Sequence, residues 1–194
     1  MMKLQIITCS TRPQRVGPAV AAWFTERART HGAFEVDPVD LKEVNLPLFD
    51  EPKHPRLRQY EHPHTLAWSA KVAAADAFAF VMPEYNYGVS PAFLNAVTYL
   101  SSEWAYKPAA IVSYGGVSGG TRGAQMAKLT LTTVKVMPIP EAVVIPWVQK
   151  ALAPDGSFPG GAPHDTAADA LLGELNRWAE ALATLRRAPD GHAV

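Results

Sequence analysis

Cysteine is almost missing from this chain. Cys9 is its only one, so no internal disulfide is available, and a reducing compartment suits it. Excess charge is missing too. Lys and Arg number 18 and Asp and Glu number 18, which removes the general basic field that nucleic acid or an anionic membrane needs. No run approaches the roughly 20 apolar residues of a membrane span. Met1 to Thr8 lacks the apolar core of a secretory signal. A G-x-G-x-x-G dinucleotide fingerprint is also lacking. These absences predict a soluble cytoplasmic protein without nucleic-acid or membrane partners. At 194 residues it reads as one domain, 1–194, with no internal repeat.

What is present is an alternation of strands and helices. Leu4–Thr8 predicts a first strand, and Val16, Val20, Trp23, Phe24 and Ala28 mark a helix that ends at Gly32. Phe34–Val39 predicts a second strand, placed at an edge by Pro38. Residues 40–63 hold four prolines and little periodicity, which predicts a long ordered loop. Thr65–Ala75 predicts a helix leading into a buried strand, Ala77–Met82. After it, Ser90 is a good N-cap, Pro91 suits the first helical position, and Phe93, Ala96, Val97 and Leu100 follow at helical spacing.

Ala109–Val112 predicts the fourth strand, and Ala124, Ala127, Leu131 and Val134 the next helix. Ile139–Val148 predicts a fifth strand, near an edge because of Pro140 and Pro146. Residues 152–163, rich in Gly and Pro, read as a flexible connection. The last helix carries an apolar stripe from Ala168 to Leu185, with fraying expected from Arg186 to Val194. Strands alternating with helices argue an α/β fold, a parallel sheet covered on both faces.

Three loops after strands carry the polar chemistry, where open α/β sheets place their ligands. Pro83-Glu84-Tyr85-Asn86-Tyr87-Gly88 offers rings, an amide and a glycine to a flat, hydrogen-bonding aromatic ligand. Ser10 to Gly17 brings two hydroxyls and the guanidinium groups of Arg12 and Arg15 to a helix start, which favours an anion. Ser113-Tyr114-Gly115-Gly116 opens a glycine-rich loop in which backbone N–H groups can approach a ring edge. Each also has a plain reading: an aromatic turn on its own helix, a solvated basic turn, an ordinary strand-to-helix turn with Ser118 or Thr121 as cap. Glu84, the only carboxylate of the aromatic loop, is expected to make a structural hydrogen bond to backbone. Asn95 faces away from the apolar stripe and reads as structural.

Pro83–Leu100, Cys9–Gly17 and Ser113–Gly120 together resemble the NAD(P)H-dependent FMN reductase family, whose members include quinone, azo-dye and chromate reductases. Leu94 and Thr98 depart from the family pattern of Lys and Asp, and the first loop is richer in arginine. The resemblance implies a flavodoxin-like three-layer sandwich with a five-stranded parallel sheet of order 2-1-3-4-5. It implies bound FMN, NADPH or NADH as co-substrate, and a small-molecule electron acceptor (a quinone, azo compound, free flavin or metal oxyanion). Ser10 and Arg12 would hold the phosphate, with Arg15, Val16 and Gly17 completing its wall. Pro83 to Gly88 and Ser113 to Gly116 would surround the ring, and no side chain would be catalytic, the flavin carrying the chemistry. A flavodoxin-type electron carrier is the alternative on the same fold, although such carriers are usually acidic.

Other chemistry is weaker. Cys9 and Arg15 have the C-x5-R spacing that low-molecular-weight tyrosine phosphatases use. Val16 stands where a Ser or Thr supports the thiolate, and Pro13 deletes a loop amide. Cys9 therefore reads as a small buried hydrophobe. A phosphoacceptor receiver needs carboxylates where Thr8-Cys9 and Met82-Pro83 stand. His54, His62 and His64 lack cysteine partners and helical spacing, so they read as surface residues and no metal is expected. Thr98, Tyr99, Trp104 and Tyr106 carry much aromatic surface near the 90–100 helix. With the resemblance, that surface predicts a homodimer, or a tetramer, built around it.

Overall fold

The alternation Ala77-Phe78-Ala79-Phe80-Val81-Met82 decides how the sheet is covered. Successive side chains of a strand point to opposite faces, so this strand shows small residues to one side and large ones to the other. In the computed structural model of the protein, which describes residues 1–186, the consequence is two unequal layers. Ala77, Ala79 and Val81 meet α1 (Gly17–His31) and the long α6 (Ala162–Arg186) through Val20, Phe24, Leu171, Leu172 and Leu175. Phe78, Phe80 and Met82 meet α3 (Pro63–Ala73), α4 (Pro91–Thr98) and α5 (Thr121–Thr133) through Trp68, Phe93 and Leu131. The small strand residues on that face pack against the leucines of α6. Aromatic ones fill the layer opposite, where Phe78 and Trp104 pack edge to face at 4.9 Å.

The sheet is all parallel, with order β2-β1-β3-β4-β5. Its strands are β1 (Met2–Thr8), β2 (Phe34–Asp40), β3 (Ala77–Pro83), β4 (Pro108–Tyr114) and β5 (Met137–Ile145). The flavodoxin-like order therefore holds, and the strands with internal prolines, β2 and β5, lie at the two edges. β5 begins two residues earlier and ends three earlier than the sequence predicts. Its register jumps from Ala109↔Pro138 to Ile111↔Ala142, so the irregularity takes up Pro140 without breaking the ladder. All four loops that matter below leave the carboxyl ends of β1, β3, β4 and β5.

Several local expectations change in the folded chain. Residues 40–63 are ordered, as the sequence predicts, but contain a four-residue helix, α2 (Leu41–Val44), and a short 3-10 turn at Pro55–Leu57. The segment is tied down from within. Glu51 accepts from the N–H groups of Glu61 and His62, and Asp50 accepts from Tyr99 Oη at 2.8 Å and pairs with His64 at 3.0 Å. His62 and His64 stack at 5.2 Å and are half-buried rather than free surface residues; His54 is exposed. Residues 152–161 are not a loose connection, because Phe158 is buried edge to face on Trp23 at 5.2 Å. Tyr99 and Trp104 are fully buried in their own chain, so they supply no surface for a second copy. Arg186 is held by Tyr106 C=O and Asp76. The fraying expected of 187–194 lies outside the described residues.

Gly120 closes the β4–α5 turn with φ of 88°, and a Cβ there would stand 2.7 Å from Tyr114 N and 2.9 Å from Tyr114 O. Left-handed backbone and a backbone collision act together at this one position. Gly120→Ala is expected to lower unfolding stability by about 2–4 kcal/mol. Urea denaturation checks it, and an unchanged midpoint would refute this account of the turn.

Candidate functional site

The loop after β1 is a cradle of unused donors. Pro13 has no N–H. Among the described residues no acceptor pairs with the N–H groups of Thr11, Arg12, Gln14, Val16 and Gly17. Helix α1 starts here without any side-chain cap; Ala19 and Val20 donate to Val16 C=O, Pro18 has no N–H, and the Gly17 N–H is left to an outside partner. Beneath the loop, Ser10 Oγ and Tyr114 Oη are buried and lack hydrogen-bond partners, and both crowd Gly17. A Cβ on Gly17 would come within 2.2 Å of the first and 2.7 Å of the second. Burial pushes the Tyr114 phenol up, so it stays a neutral donor.

The two arginines of this loop divide their work. Arg15 Nη1 donates to Asp40 Oδ1 at 2.6 Å and to Ser10 C=O, and its Nη2 meets Asp40 Oδ2. That bidentate pair joins the loop to the end of β2, where Asp40 also caps α2 through Lys42 N–H at 2.9 Å. Arg12 makes no ion pair among the described residues, and its guanidinium lies 5.9 Å from the Tyr85 ring centroid.

The aromatic loop after β3 is a two-residue turn. Tyr85 N–H donates to Gly88 C=O at 3.0 Å and Gly88 N–H to Tyr85 C=O at 2.9 Å, with Asn86 at φ 49° and Tyr87 at φ 65° between them. Asparagine tolerates that region; tyrosine is strained in it. Tyr87 is 72% exposed and covered on one face by Arg122, 4.3 Å from its centroid. Glu84 reaches the other way. Its carboxylate accepts from Ser118 Oγ at 3.0 Å, Arg122 N–H at 2.9 Å and Gly123 N–H at 3.4 Å, and pairs with Arg122 Nη1 at 3.0 Å. Burial pushes this carboxyl up, but the hydrogen bonds outweigh burial and hold it below its ordinary value. Glu84 therefore caps α5 from another loop. Further on, Ser90 Oγ accepts from Phe93 N–H and donates to Cys9 C=O at 2.7 Å, which fixes α4 against the end of β1.

In the loop after β4, Ser113 Oγ donates to Gly119 C=O at 2.9 Å. Gly115 N–H is taken by Ile145 C=O at 3.2 Å. Gly115 and Gly116 in turn accept from the N–H groups of Val148 and Trp147 at 3.2 and 2.9 Å. Of the two glycine amides expected to face a ring edge, only that of Gly116 remains without a protein acceptor among the described residues.

These loops enclose a cleft of about 330 Å³. The sequence places Arg12, Arg15 and Val16, then Pro83, Glu84 and Tyr85, then Tyr114, Gly115 and Gly116 at a binding site, and all nine line it. Ser10, Gly17 and Ser113 lie beneath, shaping the loops. Asn86, Tyr87 and Gly88 form the turn beside the cleft rather than its wall. A fourth wall, Trp147 to Lys150 at the end of β5, completes it. That wall follows an edge strand interrupted by prolines, and only the strand order brings it to the other three. Cys9 points into the core, donates to Ile7 C=O at 3.3 Å, and has its thiol pushed up by burial, so the phosphatase arrangement is absent. No helix among the described residues is long and apolar enough to cross a membrane.

Known proteins share this chain's sequence pattern and fold. Residues 2–149 match the model of a family described as NADPH-dependent FMN reductase. An NAD(P)H-dependent FMN reductase of a Nectria species is 33% identical over 189 residues, 93% of this chain and 89% of its own. Another, from Schizosaccharomyces pombe, is 37% identical over 147 residues, covering 74% of each chain. Among solved structures, a flavoenzyme NAD(P)H:(acceptor) oxidoreductase from Paracoccus denitrificans superposes with a TM-score of 0.73 at 21% identity, over 93% of this chain and 98% of its own.

Glu84 provides the test of how the site is held. Replacing it by Ala is expected to cost about 1.5–3 kcal/mol at pH 7, the worth of charge-assisted hydrogen bonds left unmade. Because its folded carboxyl titrates below the unfolded one, the contribution is complete above the unfolded value of about 4.3 and fades as pH falls through the folded value. The gap between wild type and Glu84→Ala in urea unfolding should close in acid, and a gap independent of pH would refute the assignment.

Proposed function

The chain belongs to the NADPH-dependent FMN reductase family, and we propose from that premise which of its residues hold the flavin and which stay clear of the reaction. It is an FMN-dependent NAD(P)H oxidoreductase. Held by the loops after β1, β3 and β4, bound FMN would supply the hydride-accepting chemistry that links the nicotinamide nucleotide to a second acceptor.

The observation that carries the assignment is the loop after β1. Free N–H groups, an uncapped helix start and the orphaned hydroxyls of Ser10 and Tyr114 fit a phosphate, which supplies the acceptors they lack. Arg12, exposed and without an ion pair among the described residues, meets the phosphate oxygens. Arg15 is a positioning residue, since Asp40 already takes its fork. Tyr85, Tyr114 and the Gly116 amide receive the ring. Asn86 and Tyr87 set the turn that places Tyr85, and Gly88 lets α5 approach it. Trp147 to Lys150 close the far side.

No proton is exchanged with a side chain of the cleft. Among the described residues no histidine lines it, Glu84 is held ionised by its hydrogen bonds, and burial keeps Tyr114 neutral. The acceptor is a small molecule that enters beside the ring. A cytoplasmic setting suits the free, fully buried Cys9.

The chain forms a homodimer through the α4 face. Leu48 is 84% exposed and Leu94 40% exposed there. Asn95, which donates to Pro47 C=O and accepts from Phe49 N–H, holds the 47–49 segment beside the helix and makes one apolar surface of both.

Three outcomes are expected. The protein binds one FMN per chain, and Arg12→Ala weakens it about ten- to a hundredfold, the worth of a charge-assisted phosphate contact. Fluorescence titration reads the affinity, and an unchanged value removes Arg12 from the phosphate site. Reduction of the bound flavin by NADPH, followed by stopped flow, stays flat between about pH 6 and 8; a steep titration there would reveal a missed proton donor. Light scattering at micromolar concentration gives the mass of two chains, and a single-chain mass rules out the dimer.

A further inference from the structure

Trp147 is the cleft residue that sequence spacing does not announce, and its conformation runs against its residue type. It stands at φ 51°, left-handed backbone in which an aromatic residue is strained, and it is 52% exposed. Two backbone bonds impose this pose: Trp147 N–H donates to Gly116 C=O at 2.9 Å, and Lys150 N–H donates to Trp147 C=O at 2.8 Å. Lys150 Nζ sits over the indole, 5.2 Å from its centroid, covering one face. The remaining tryptophans are wholly or mostly taken up by the core. A strained, half-exposed indole held rigidly at a rim has a use for its open face.

Its place along the cleft narrows that use. From the phosphate loop after β1 to Trp147 after β5 the sheet crosses three strand spacings, about 14 Å. Arg12 and Trp147 thus mark opposite ends of one cleft, with the deep walls, Tyr114, Gly115 and Gly116, between them. The indole lies past these, half-exposed at the rim of the cleft. A flat conjugated ring gains there both stacking and removal of apolar area from water, whereas a compact inorganic oxidant gains neither.

On the reading that the cleft holds FMN, we propose that Trp147 is the stacking platform for a flat, conjugated second substrate, and so the residue that favours quinoid and aromatic electron acceptors over compact ones. The test uses the holoenzyme with Trp147→Asn, which removes the ring yet tolerates a positive φ, and Trp147→Phe, which keeps a ring. FMN titration comes first. A wild-type protein that binds no FMN overturns the FMN reading, and this proposal with it. The affinity of oxidised, FMN-loaded protein for 1,4-naphthoquinone is then measured by equilibrium dialysis without reductant. The expected result is a roughly tenfold loss in Trp147→Asn and no more than about threefold in Trp147→Phe. In turnover, the ratio of kcat/KM for naphthoquinone to that for ferricyanide falls about tenfold in Trp147→Asn and recovers in Trp147→Phe. Quinone affinity within twofold of wild type in Trp147→Asn overturns the proposal while leaving the FMN reading intact. So does a loss of FMN affinity with quinone binding to the loaded protein unchanged, which assigns the indole to the cofactor.

Discussion

One carboxylate joins most of the site. Glu84 leaves the end of β3 and accepts hydrogen bonds from the loop after β4 and from the first turn of α5. A parallel sheet leaves its loops side by side at one end, but nothing in the ladder fixes their heights relative to one another. Glu84 does so by satisfying N–H groups that α5 would otherwise leave open, and Arg122 balances its charge. The same arginine covers Tyr87, so the strained two-residue turn and the helix start are set together. Behind Glu84, the Ser113 and Gly120 contacts close the loop after β4, and the carbonyls of Gly115 and Gly116 carry the position onward to Trp147.

The loop after β1 is built on a different balance. A cluster of positive charge is costly unless part of it is paired, and Asp40 pairs Arg15. The backbone of the loop stays unpaired over several residues, which a folded chain rarely allows without an external partner. Ser10 and Tyr114 repeat that signature in side chains. A loop whose donors are already held in place by the fold would pay little ordering cost on taking the proposed anion.

Much of this was legible in local sequence. The strand Ala77–Met82, the cap at Ser90-Pro91, the left-handed end of α1 at Gly32 and the stripe of α6 are short-range signals, and each appears where the chain predicts. The three loops were legible as well, since glycine, hydroxyl and aromatic residues after apolar runs mark strand ends. Other features were not. Tyr99 and Trp104 look like interface residues in a linear reading because their burial depends on partners far along the chain, Asp50 and Phe78.

By itself, then, the sequence determined the elements, the carboxyl-end loops and an anion-friendly helix start, all of which depend on neighbours within a few residues. Tertiary structure alone decided which arginine is free, that Glu84 caps a helix 38 residues away, and that Trp147 forms a wall. The reason is physical. A side chain's hydrogen-bond capacity is written in its type, but its partner is chosen by strand order and layer packing, and those follow from the burial of the whole sheet rather than from any one stretch.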